Sequence, residues 1–128
     1  HVTLLGRMDH DTVLEYLGRA RFMVFPSEWY EGFPVALAEA FAAGCPVLAS
    51  GHGSMAEIVE HGVCGVHFES GSASSLAKGA HVLNSLGEED MNRMRRAARK
   101  RFEEQYSPGE NVKQLIAIYN DALAGVPQ

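Results

Sequence analysis

Cysteine is scarce in this sequence. Cys45 and Cys64 are the two among 128 residues, too few for the disulfide framework that staples small secreted domains, so both are expected as reduced thiols and the location as cytoplasmic. Long apolar runs are missing as well. No stretch approaches the roughly 20 residues a spanning helix needs, which leaves peripheral attachment of a longer protein as the membrane role still open. Positive charge is in deficit: eleven Lys and Arg stand against sixteen Asp and Glu, for a net charge of −5. No overall field then favours nucleic acid or anionic lipid, and an anionic ligand has to be held locally. Internal repeats, low-complexity tracts and linkers are lacking too. An initiator Met is also lacking, and because His1 leads directly into strand-like sequence a cut end is expected there.

What is present is ordinary globular composition, 46% hydrophobic and 21% charged, enough for a real core. Val2 to Leu5 is a β-branched and apolar run ended by Gly6, which predicts a first strand. Asp9 to Ala20 carries Val13, Leu14 and Leu17 at helical spacing. Arg21 to Phe25, closed by Pro26, predicts a second strand. Pro34 to Ala43, rich in Ala and Leu and followed by Gly44, predicts a second helix with Pro34 at its first position. Pro46 to Ala49 predicts a third strand, Met55 to His61 a short helix, and Val66 to Phe68 a fourth strand. Strands that are apolar throughout and alternate with helices indicate an α/β fold: a Rossmann-like parallel sheet of about four strands with helices on both faces. That strand–helix core is expected over 1–70, and 71–128 should be helical, with helices near 75–86, 88–106 and 108–124. Ser107, Pro108 and Glu110 supply the cap, first-turn proline and third-position acid of a helix start.

The chemistry concentrates around Pro34 to Ala43. Every residue there is apolar except Glu39, and an ionised group in such a helix needs solvent or a polar cleft whose hydroxyl groups donate to it. Glu31 precedes the helix on a loop leaving a strand, at the sheet edge where α/β folds bind ligands. Plainer readings exist: Glu39 as one solvated helix position, Glu31 as an acid near a helix N-terminus. Gly32 permits close approach, and the amides of Gly32, Phe33 and Val35 at the helix start suit a diphosphate.

These residues carry a specific resemblance. Phe25-Pro26-Ser27, Tyr30-Glu31-Gly32-Phe33-Pro34, Ala38-Glu39-Ala40 and Ala43-Gly44-Cys45-Pro46-Val47 together resemble the signature of family 4 retaining glycosyltransferases of the two-Rossmann-domain (GT-B) type. The likeness continues through Gly53 to Val59 and Gly62 to Val66, and ends in Phe102 to Ser107 and Ile118-Tyr119. It implies a domain that binds a nucleoside diphosphate sugar and passes a hexosyl group to an acceptor hydroxyl with retention. It implies Glu31 at the donor sugar, supporting positive charge that develops there, and Glu39 accepting hydrogen bonds from the ribose hydroxyls. The backbone after Glu31 would meet sugar and phosphates, and Arg7 and Met8 match the region near the nucleobase. Pro34 stands where many relatives have Gly, which removes one amide donor. No metal or other cofactor is implied.

The resemblance also implies an incomplete C-terminal domain. Two upstream strand–helix units, which would carry an Arg and a Lys for the diphosphate, and an N-terminal acceptor domain are not in this sequence, so the chain alone should not catalyse transfer. In the strand order 3-2-1-4-5-6, the two upstream strands would lie between the Val2 and Phe22 strands. The gap could be filled by those segments as another chain, by the Val2 strand moving beside Phe22 to Phe25, or by two copies exchanging strands. The alternative function is a non-catalytic nucleotide-sugar or carbohydrate-binding module on the same scaffold.

Other signals yield to simpler readings. Gly51, Gly53 and Ala56 match a dinucleotide fingerprint with Glu69 further on, but the following helix is short, and a loop lining a sugar-nucleotide pocket is preferred. Asp9-His10-Asp11 resembles a metal-binding D-x-D, yet Asp9 or Asp11 can cap the helix, and Thr12 with Glu15 can form a capping box. His10, His52, His61, His67 and His81 lack zinc spacing and are expected at the surface or in loops. The basic run Arg93 to Arg101 is interleaved with Met91, Met94, Ala98 and Phe102, which reads as the solvated face of an amphipathic helix rather than an RNA or lipid patch. Trp29 and Tyr30 either stack on a sugar or pack the loop, and the sequence alone does not separate the two.

Overall fold

The computed structural model describes residues 2–125; His1, read above as a cut end, lies outside them. The elements run α1 (His10–Arg19), β1 (Met23–Phe25), α2 (Val35–Ala42), β2 (Val47–Ser50), α3 (Gly53–Ile58), β3 (Gly65–Phe68), α4 (Ala73–Ser85) and α5 (Glu88–Arg101). A π-helical turn follows at Phe102–Tyr106, then α6 (Pro108–Ala124). The sheet is parallel in the order β1-β2-β3, with Val24 opposite Leu48 and Leu48 opposite Val66. Apolar strands make this possible because both faces are covered. Val47 and Ala49 pack with Leu37, Phe41, Met55 and Ala98 on one face, whereas Leu48 packs with Val66, Phe68, Leu83 and Met94 on the other. This is the two-residue alternation of a strand. Burying each such Leu, Val or Phe contributes about 1.5–3 kcal/mol. The strands also lie close: a Cβ on Gly65 would stand 2.1 Å from the Val47 carbonyl oxygen.

The sequence expectation fails at one strand. Val2 to Leu5 forms none, and the sheet has three strands among the described residues. Val2 and Leu4 are 92% and 93% exposed. A lone extended segment has nothing to satisfy its N–H and C=O groups except water, and here it finds no neighbour. The arrangement in which it moves beside β1 is therefore overturned, and β1 keeps an outer edge without a strand among the described residues. Two smaller corrections concern helix ends. Pro34 is the N-cap of α2, extended at φ −75° and ψ 105°, rather than its first helical residue. The helix expected over 88–106 ends at Arg101, and the wider turn after it brings the Tyr106 ring to 5.3 Å from Phe33 and 6.5 Å from Phe41.

The basic run on α5 has a structural use that its pattern did not show. Arg95 donates to the carbonyls of Gly18 and Ala20, Arg99 to that of Ala42, and Arg101 to that of Glu57. These carbonyls end α1, α2 and α3, where helix backbones carry unpaired acceptors and partial negative charge. Arg21 does the same at the end of α4, donating to Leu83, Asn84 and Leu86. Met91, Met94 and Ala98 bury the other face of α5 as expected.

Candidate functional site

The loops that leave β1 and β2 meet at the C-terminal edge of the sheet. Glu31, half-buried, sits on the first of them, and its Oε1 accepts the Ser27 hydroxyl at 2.9 Å. The same Ser27 oxygen accepts the Trp29 amide at 3.3 Å, a local turn in which a hydroxyl organises its own backbone. From the second loop, the Ser54 hydroxyl donates to the Glu31 carbonyl at 2.7 Å. Tyr30 sets its ring edge-on to His52 at 5.3 Å. Gly53 lies under that ring at φ +55°, where a Cβ would come 3.0 Å from Tyr30 Cδ1, so both conformation and space call for glycine. The stretch that resembled a dinucleotide fingerprint is thus spent on holding the Glu31 loop.

Glu39 lies one helix turn past the start of α2, its side chain 29% exposed, with the His10 Nδ1 at 3.4 Å from Oε1. His10 begins α1, so this histidine is not a bystander: it meets the one charged residue of α2. The position of α1 is set locally. Asp9 caps it, Oδ1 accepting the Thr12 amide at 2.9 Å and Oδ2 the Thr12 hydroxyl at 2.7 Å. The Thr12 amide and hydroxyl together hold the Asp9 carboxyl below the usual carboxylate range. Thr12 is therefore a donor inside the helix and not the start of a capping box. Arg7, exposed, and Met8, half-buried, lie on the segment leading into α1.

Between the two carboxylates, α2 begins with no side-chain cap. The Leu37 amide is taken by the Pro34 carbonyl at 2.9 Å, while the amides of Val35 and Ala36 precede any partner within the helix. Gly32 and Phe33 are exposed, and nothing lies within 4 Å of where a Gly32 Cβ would be. Along the loop and helix start, Gly32, Phe33 and Val35 are exposed and Pro34 is buried, with half-buried Glu31 before them and half-buried Glu39 one turn into the helix. Of the α5 arginines, Arg95, Arg99 and Arg101 bind helix ends and Arg93 pairs with Asp90. A cavity of about 280 Å³ lined by Gly62, Val63, Leu86 and Arg93 lies instead near the N-terminal end of β3, away from these carboxylates.

Sequence reasoning missed Ser27, Ser54 and His10 as parts of this site. Ser27 had a usable signal, a hydroxyl two residues before Trp29 in a tight loop and four before Glu31. Ser54 and His10 had none, since their partners lie 23 and 29 residues away, the latter being 39 − 10.

Residues 1–101 match the family described as Glycosyl transferases group 1. The chain belongs to this family. An amylovoran biosynthesis glycosyltransferase of Erwinia amylovora is 36% identical over 123 residues, covering 91% of this chain and 30% of that protein. A sucrose-phosphate synthase from Thermosynechococcus elongatus superposes with a TM-score of 0.84 at 25% identity, covering 97% of this chain and 31% of the other. An Anabaena protein solved in complex with UDP-glucose shares the fold, with a TM-score of 0.70 at 24% identity over 84% of this chain and 29% of that one. The α/β class with a parallel sheet and flanking helices is thus the fold of solved GT-B glycosyltransferases. The chain of this group 1 family member spans about three-tenths of the length of the relatives it matches.

Proposed function

We propose that this chain is the donor-binding part of a retaining family 4 glycosyltransferase that moves a hexosyl group from a nucleoside diphosphate sugar to an acceptor hydroxyl. The observation that carries the reading is the placement of two carboxylates on either side of an uncapped helix start: Glu31 fixed by Ser27, and Glu39 half-exposed on an otherwise apolar helix. In this reading Glu31 faces the donor sugar and supports charge developing at its anomeric carbon. Glu39 accepts the ribose hydroxyls, and the amides of Gly32, Phe33, Val35 and Ala36 meet the diphosphate. Arg7 and Met8 lie toward the base. Pro34 contributes shape and no donor. A sugar nucleotide on a scaffold of this kind has a precedent in the Anabaena protein.

The remaining cationic and acceptor surfaces belong to the rest of a longer protein, which works on the cytoplasmic side, and this chain alone is inactive. No metal takes part. The edge of β1 is where further strands would pair, supplied by that protein or, for the chain alone, by exchange with a second copy. In the full-length protein, Glu31→Ala should abolish turnover while UDP, measured by titration calorimetry, still binds. Glu39→Ala should weaken nucleotide affinity. Turnover unchanged in Glu31→Ala would sink the assignment, and UDP bound while no sugar is transferred by the unmutated protein would favour the binding-module alternative.

A further inference from the structure

Acid outnumbers base along the chain, yet one cavity is walled mainly by arginine. It measures about 320 Å³ and is lined by Arg19, Arg21, Glu88, Met91, Asn92 and Arg95. Arg19 ends α1, Arg21 stands two residues before β1, and the other four belong to the first eight residues of α5. The cavity therefore lies toward the N-terminal end of β1, whereas the Glu31 loop leaves the C-terminal end of the same strand.

The carbonyl contacts of these arginines hold them in place without using them up. Arg21 commits Nε to the Leu83 carbonyl and Nη2 to those of Asn84 and Leu86, which leaves both N–H groups of Nη1 without an acceptor among the described residues. Arg95 commits Nη1 and Nη2 to Gly18 and Ala20 and leaves its Nε. Arg19 reaches only Glu15, at 3.5 Å in a pair whose side chains are 77% and 70% exposed, which holds it loosely. Glu88 is the single carboxylate in the wall, and it forms no ion pair among the described residues; Asp90, two residues on, is spent on Arg93. Three guanidiniums around one space repel one another, and an anion there offsets that repulsion. Their planar forks suit phosphate oxygens, and two of the three are oriented in advance by backbone carbonyls. The space equals about ten waters, enough for a phosphate group with a small polar body, and Met91 is its one apolar wall. We propose that this cavity is a binding site for a phosphate monoester, carried by a small polar metabolite or by a lipid headgroup, and separate from the sugar-nucleotide site. It stands independently of the donor-site reading.

The test uses the full-length protein with its donor site filled by saturating UDP. Inorganic phosphate and glycerol phosphate are titrated by calorimetry at pH 7.5, with glycerol as the uncharged control. Vesicles of phosphatidic acid in phosphatidylcholine, against phosphatidylcholine alone, form the lipid arm, read by co-sedimentation. Binding of glycerol phosphate in solution assigns the site to a small metabolite, and binding of the vesicles alone assigns it to a headgroup. The variants leave every backbone carbonyl contact in place. Arg19→Ala and Asn92→Asp should each weaken phosphate binding at least fivefold, and Glu88→Gln, which removes the opposing charge, should strengthen it about threefold. Melting temperature should stay within a degree or so in all three. Absence of binding in both arms, binding equal in Arg19→Ala and Asn92→Asp, or weaker binding in Glu88→Gln overturns the site. Glu39→Ala separates the two readings: it should leave phosphate binding unchanged whatever it does to UDP, and a parallel loss of both would put the phosphate in the nucleotide site and remove this proposal.

Discussion

The Ser27 hydroxyl donates to Glu31 Oε1 at 2.9 Å while its oxygen accepts the Trp29 amide at 3.3 Å. One side chain thereby sets both the direction of a carboxylate and the turn that presents it. Replacing Ser27 by Ala removes a hydrogen bond to a charged, partly solvated group, worth about 1 kcal/mol. If that alignment matters in the transition state, kcat of the full-length enzyme should fall about fivefold with donor KM nearly unchanged. Ser27→Thr, which keeps the hydroxyl, should retain most activity. A rise in donor KM with kcat intact would show that Ser27 serves ground-state binding instead.

The arginines of α5 make a second, independent prediction. Arg99→Ala leaves the Ala42 carbonyl without its cation, and Arg95→Ala does the same at Ala20. After allowance for exposure, each loss should lower stability by about 1 kcal/mol. Because each guanidinium grips a different helix, the double variant should be close to additive. Urea unfolding measures all three. A double loss much smaller than the sum would mean that the two contacts replace one another.

His67 gives the protein a pH dependence. Its ring nitrogen Nε2 lies 2.6 Å from the Val59 carbonyl oxygen, and burial lowers its pKa from the ordinary 6.5, more than that hydrogen bond raises it. A histidine held neutral in the fold binds fewer protons than the unfolded chain does. Stability from this group is therefore full above about pH 6.5 and declines as pH falls from there toward the lower folded value. Melting temperatures measured from pH 7.5 to 5.5 should fall, and His67→Gln should flatten that part of the curve. The same slope in the variant would assign the effect to another group.

Burial pushes the Cys45 thiol up to about 11, and it raises Cys64 as well. At pH 8 about one Cys45 in a thousand is then thiolate, the form that reacts. Both cysteines are free and buried. Neither should be labelled by iodoacetamide in the native protein over a time that labels both in urea. Fast native labelling of Cys45 would show that the core around β2 opens.

Much of this arrangement was legible because local rules and burial agreed. Ser107 and Pro108 open α6 as their types predict, with the Glu110 amide donating to Ser107 Oγ at 3.4 Å. The alternation of Val47, Leu48 and Ala49 is replaced in the sequence by a fully apolar run, and that run itself signalled a sheet covered on two faces. Glu31 and Glu39 stood out because the residues around them are apolar. Val2 to Leu5 misled because β-branched composition describes a strand that would form beside a partner, and pairing is decided by residues elsewhere. The arginine contacts were hidden for a related reason. A helical pattern shows which face is polar, but a guanidinium can be solvated or bound to a carbonyl 57 residues away with the same spacing.

Those arginine contacts also divide the freedom to change unevenly. The groups that receive them, on Ala20, Ala42 and Glu57, are backbone carbonyls that every amino acid possesses. The receiving positions can exchange side chains without breaking the contact, while Arg95, Arg99 and Arg101 cannot be exchanged so freely, since no other side chain has the same forked donor. Three helices are thus tied to a fourth by a bond whose specificity is carried on one side alone, and pairs of co-varying residues would not reveal it.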